Sequence, residues 1–103
     1  MPLSSVVTIF RNRLRAGAAD AYGPVATEMT ELARTMPGFV DSKTFTAADG
    51  ERVTVVTFAD RASHDAWRLH PDHVEAQREG IEKFYETYAI QVAEVTRSHT
   101  FTR

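Results

Sequence analysis

The sequence predicts a single α+β domain with the element order βαββαβ. Three observations carry this. The chain opens with a β-rich apolar run at Val6-Val7-Thr8-Ile9-Phe10, an amphipathic helical repeat follows it, and Asp49-Gly50 sits between two further strand-like runs. At 103 residues the chain suits one domain, 1–103, with its core over about 6–96. A chain of this size buries about two-thirds of its unfolded surface, so the core it builds alone is modest.

The first strand continues through Arg11-Asn12-Arg13-Leu14 and is apolar on both alternating faces, as in a strand covered on two sides. Arg15-Ala16-Gly17 ends it. A helix is expected over about 18–35, because Tyr22, Val25, Met29, Leu32 and Met36 recur at helical spacing. Gly23-Pro24 falls in its early turns, where proline is tolerated. Met36-Pro37-Gly38 stops it, since proline pushes the preceding residue out of helical geometry.

Residues 39–47 and 52–58 read as two strands joined by Ala48-Asp49-Gly50-Glu51, where Asp-Gly supplies the positive backbone angles of a tight turn. Asp60 or Ser63 can cap a helical region running over about 62–88, broken or kinked at Pro71. Residues 89–96 alternate as a fourth strand, and 98–103 form a polar tail. This is the ferredoxin-like, split-βαβ arrangement. Two helices cover one face of such a sheet. Val7 and Ile9 lie on the other face, so a second sheet from a partner chain, a homodimer, is the economical cover.

Twelve basic and fourteen acidic residues leave a net charge of −2, which is no footprint for a phosphate backbone and argues against nucleic acid. The absence of cysteine removes disulfides, thiolate metal sites and thiol catalysis. Met1-Pro2-Leu3-Ser4-Ser5 lacks the basic start and apolar run of a signal peptide, and no stretch has a membrane-spanning length. A cytoplasmic protein without a membrane partner is expected.

Chemistry concentrates in Trp67-Arg68-Leu69-His70-Pro71-Asp72-His73-Val74-Glu75-Ala76-Gln77. On a helical period Trp67, His70, Val74, Gln77, Ile81, Phe84 and Tyr88 share one stripe, and Val74, Ile81 and Phe84 turn it inward. His70 and Gln77 are then polar groups at core-facing positions that need a partner or a ligand. On the first strand Asn12 shares a face with Phe10, and an amide there can donate and accept at a pocket wall. Tyr22 and Met29 on the first helix complete an apolar, aromatic cavity with a few polar groups, the usual form of a small-molecule site.

His73 is assigned to that pocket, whereas His64 and His99 read as peripheral. His70 and His73 are spaced for two ligands, but Pro71 intervenes and no carboxylate is placed as a third, so no metal is expected. There is no Gly-rich phosphate loop and no nucleophile elbow, hence no flavin or nicotinamide site.

Phe10–Leu14, Met36-Pro37-Gly38-Phe39, the Asp49-Gly50-Glu51 hairpin and Trp67-x-x-His70-Pro71-x-His73 together resemble the antibiotic biosynthesis monooxygenase family, over roughly Val6 to Thr96. The resemblance implies a dimeric α+β barrel. It implies a cofactor-independent oxygenase that turns a phenol or anthrone into a quinone with O₂. Asn12, Trp67, His70 and Gln77 are its implied catalytic residues, with amide and indole N–H groups as donors and His70 as a base. A sister group that degrades haem carries an Asn in the first strand, a Trp in the later helix and a His ten residues after that Trp. Here that position is Gln77, a poor iron ligand, and haem is the alternative. A non-catalytic dimeric binding module is the other.

Overall fold

The structure is a computed structural model that describes residues 4–103. The first part of the Met1–Ser5 leader reading therefore lies outside the described residues. Strand β1 (Val6–Leu14) leads into helix α1 (Ala19–Thr35), the hairpin β2 (Phe39–Thr46) and β3 (Arg52–Phe58), helices α2 (Arg61–Arg68) and α3 (Pro71–Glu79), and strand β4 (Tyr85–Glu94). The sheet is antiparallel throughout, in the order β2-β3-β1-β4. This is the expected α+β, ferredoxin-like fold.

Sheet register decides which side chains meet the helices. Val6, Thr8, Phe10 and Asn12 of β1 stand opposite Phe58, Val56, Thr54 and Arg52 of β3. Because the strand period is two, these share one face. It is the face the helices cover, with Phe58 fully buried and stacked on Trp67 at 5.2 Å between ring centroids. Ala33, Val56, Phe58 and Trp67 form the buried core, flanked by Met36 and Phe39. Burying Phe58 and Trp67 contributes about 1.5–3 kcal/mol each. The opposite face carries Val7, Ile9, Val53 and Val55, with Phe45 half-exposed at its β2 end.

The turns follow their chemistry. Gly50 has φ +92°, and Ala47 N–H donates to the Glu51 carbonyl to close the hairpin. Gly38 has φ +81°, and a Cβ there would stand 2.3 Å from Ser63 Oγ, so only glycine lets β2 begin against the start of α2. Asp60 is the cap, its Oδ1 accepting from Ser63 N–H at 2.7 Å.

The helical segments depart from expectation in part. The expected break at Pro71 is present, and it takes the form of a new helix start: Pro71 is the first residue of α3, and His70 before it is extended. A π-helical turn, Gly80–Phe84, ends the helical run, and Tyr85–Tyr88 belong to β4 instead. The inward stripe therefore does not continue to Tyr88, which pairs across the ladder with Asn12. Val74 and Ile81 are also about half-exposed, because the break at His70 and the wider π turn each shift the register of the helical period. Phe84 is buried, as expected. On α1 the inner face centres on Ala33 rather than Leu32.

Candidate functional site

A cavity of about 150 Å³ lies between the sheet and all three helices. That is roughly the volume that accommodates one benzene-sized ring in a protein interior. Phe10 and Thr8 come from β1, Tyr22 and Met29 from α1, Val56 and Arg52 from β3, and Ile90 and Val92 from β4. Helices α2 and α3 contribute His64, Trp67, His73 and Gln77. A second pocket of about 110 Å³ shares Phe10, Gln77, Tyr85 and Ile90 with the first and adds Ile81 and Tyr88. Gln77 thus stands between the two chambers.

Trp67 is buried, and its Nε1–H has no hydrogen-bond partner among the described residues. Its ring meets His73 at 4.4 Å between centroids. His73 donates from Nδ1 to the Arg68 carbonyl at 3.3 Å, and burial pushes its pKa below the ordinary histidine value. Asn12 is 1% exposed, and neither atom of its amide finds a partner among the described residues. It lies one strand step beyond Phe10 but is not itself on either cavity wall.

His70 takes a different place from the one expected. It caps α3, its Nδ1 accepting from Asp72 N–H at 3.1 Å, and it lies on neither cavity wall. The extended residue before proline is well suited to capping, and capping turns the ring away from the core. Val74 is likewise outside both cavities, and Phe84 packs behind Tyr22 at 5.5 Å without lining either.

The sequence reading missed three residues. His64 is not peripheral: it is 2% exposed on the cavity wall. Its Nδ1–H donates to Asp65 Oδ1 at 3.0 Å, and its Nε2 lies 2.8 Å from Thr8 Oγ1. A carboxylate only accepts, so Nδ1 carries the proton and Nε2 accepts from the Thr8 hydroxyl. His64 precedes Trp67 by three residues, a same-face spacing that marks it as inward. Arg52 continues inward the alternation Phe58, Val56, Thr54. Tyr85 donates its hydroxyl to Tyr22 at 3.3 Å, and burial pushes its phenol pKa far up, so it stays protonated.

These residues do not suit haem. The position ten after Trp67 is an amide, His70 is a cap, both ring nitrogens of His64 are engaged, His73 is packed on the Trp67 ring with its Nδ1 on the Arg68 carbonyl, and the cavity is of single-ring size. Among the described residues no group of three or more His, Asp or Glu is placed to hold a metal ion. Nor is any helix among them long and apolar enough to cross a membrane.

Comparison with known proteins agrees with this architecture. The chain is 36% identical over 80 residues to the uncharacterized protein YqjZ of Bacillus subtilis, covering 78% of this chain and 70% of that one. Rv0793 of Mycobacterium tuberculosis superposes with a TM-score of 0.83 at 22% identity, covering 94% of this chain and 100% of that one. SnoaB, a cofactor-independent oxygenase from Streptomyces nogalater, superposes with a TM-score of 0.77 at 14% identity, covering 92% and 96%. Such distant likenesses speak to fold alone. The sequence itself matches the antibiotic biosynthesis monooxygenase description over residues 5–79, and with the matched length spanning most of the domain, the chain belongs to that family.

Proposed function

We propose that this protein is a cofactor-independent monooxygenase that oxidises an aromatic hydroxyl compound to a quinone with O₂. The observation that carries the reading is the Asp65–His64–Thr8 chain, which presents a hydroxyl backed by an imidazole at the wall of a mostly apolar cavity. An aromatic anion, unlike its neutral phenol, is electron-rich enough to reduce O₂ directly, so the site's task is ionisation in the absence of water. The substrate O–H proton passes to Thr8 Oγ1 as the Thr8 proton passes to His64 Nε2, leaving imidazolium against Asp65. Trp67 Nε1–H is a free donor for the oxygen that gains charge, with the Gln77 amide on the same cavity wall as a further donor.

The anion gives one electron to O₂, and the resulting radical pair combines to a carbon–oxygen bond. The proton held on His64 returns to the peroxide, which loses water to give the quinone. Thus phenol and O₂ give quinone and water, and the substrate supplies every electron. The role expected of His70 passes to His64, which lies on the cavity wall and hydrogen-bonds Thr8, whereas His70 lies outside the cavity.

We also propose a homodimer in which the sheet faces bearing Val7, Ile9, Val53 and Val55 meet. A chain of 103 residues gains most from covering such a face.

The test is binding of 4-nitrophenol, whose anion is yellow, across a pH series. The reading expects the bound phenol to ionise at lower pH than the free one, by about one unit or more. Binding without such a shift would support a non-catalytic binding module instead, and no binding would reject an aromatic site altogether.

A further inference from the structure

We propose that Arg52 is the anchor for a carboxylate on the substrate, which makes the substrate a hydroxyaryl carboxylate. This rests on the aromatic-hydroxyl reading above and narrows it.

Arg52 opens β3 on the helix-covered face and lines the cavity. Its guanidinium carbon lies 5.1 Å from the centre of the Tyr22 ring, and its Nε–H is buried without a partner among the described residues. Arg11, Arg13, Arg61, Arg68 and Arg78 each meet a carboxylate. Arg52, partly buried, is in no ion pair among the described residues. The acidic groups nearest to it in sequence are committed elsewhere: Glu51 bonds Arg11 and Asp49 bonds Arg13, both on the opposite face of the sheet.

A guanidinium cannot shed its charge by losing a proton. Its half-burial in an apolar wall is therefore unfavourable until an anion arrives, and its planar fork suits a carboxylate. Tyr85 supplies no counter-charge, because burial keeps its hydroxyl protonated. Asn12, directly across the ladder from Arg52, adds an unpartnered amide beside it.

Position sets the length of the substrate. Thr8 pairs with Val56, and Val56 lies four residues from Arg52 on β3, a backbone separation of roughly 13 Å at about 3.3 Å per residue. An arginine side chain is long enough to take up part of that distance. One aromatic ring bearing a short carboxylate arm spans the remainder, with its hydroxyl at Thr8 and its carboxylate at Arg52.

The test is equilibrium binding of 4-hydroxycinnamate and of its neutral amide, without O₂, to the wild-type protein, R52Q and R52K. The wild type is expected to bind the acid about tenfold tighter than the amide. In R52Q the two affinities become equal with amide binding retained, while R52K, which keeps the charge and controls for folding, preserves much of the preference. Equal wild-type affinities, a preference that survives R52Q, or equal weakening of both ligands in R52Q would overturn the inference and leave the aromatic site standing. Failure of both ligands to bind the wild type would take down the aromatic reading and the inference with it.

Discussion

Thr8 Oγ1 and His64 Nε2 lie 2.8 Å apart, joining the first strand to the second helix across 56 residues of sequence. Both are buried, so the bond is structural and chemical at once. It fixes α2 on the sheet, and it places the proton acceptor of the proposed reaction behind a hydroxyl on the cavity wall.

Thr8→Val keeps the shape of the side chain and removes the relay. His64 Nε2 is then left buried without its donor, at a cost of about 1–3 kcal/mol in stability. Turnover falls about 10²-fold or more, because general-base assistance is lost. Thr8→Ser restores both. Urea denaturation and O₂-uptake rates on the same preparations check the two effects separately.

Trp67→Phe separates packing from donation. The aromatic stack on Phe58 at 5.2 Å survives in kind, so the loss of stability is held to about 1–2 kcal/mol, the cost of the smaller ring and the space it leaves. The indole N–H is lost, and turnover drops about tenfold or more as a stabilising donor disappears from the developing anion. Trp67→Ala, by contrast, costs about 3–5 kcal/mol of stability.

His73 gives the fold a pH dependence with a definite sign. Burial lowers its pKa below the ordinary 6.5, so in the window between the lowered value and 6.5 the unfolded chain binds more protons than the folded one. Stability is therefore fully present above about 6.5 and is lost as pH falls through that window. His64, His70 and Arg68 face His73 and add to the effect by repelling its charged form. Urea midpoints measured across this range should slope less in His73→Gln than in the wild type.

Val55→Asp tests the proposed dimer. Val55 pairs with Ile9 and Lys43 on the sheet face away from the helices, distant from the cavity. A charge there is tolerated on a solvated face and disruptive on a covered one. Sedimentation should report a dimer for the wild type and a monomer for the variant.

Much of this architecture was legible in the residues. The β1 run, the helical spacing of Tyr22, Val25 and Met29, and the Asp49-Gly50 turn are local signals, and local signals place elements. Pro71 was legible as a break but not as a helix start, which needed His70 to be seen as its cap. The start of β4 was hidden because Phe84 and Tyr88 continue a helical spacing through the π turn, although Tyr85 and Thr87 are strand formers. Trp67 and Gln77 reach the cavity as their positions suggested. His64 and Arg52 escaped notice because their importance lies in tertiary register: one needs Thr8 across the fold, the other needs the absence of a nearby carboxylate.

The most direct measurement of the central claim is O₂ consumption by the chelator-treated protein with a hydroxyaryl substrate, using isotopically labelled O₂ and following the label into product. The account predicts substrate-dependent uptake that persists after chelation, a quinone carrying a single labelled oxygen, and loss of rate in Thr8→Val. Uptake abolished by chelation, a product oxygen derived from water, or binding of the substrate with no uptake at all would contradict it.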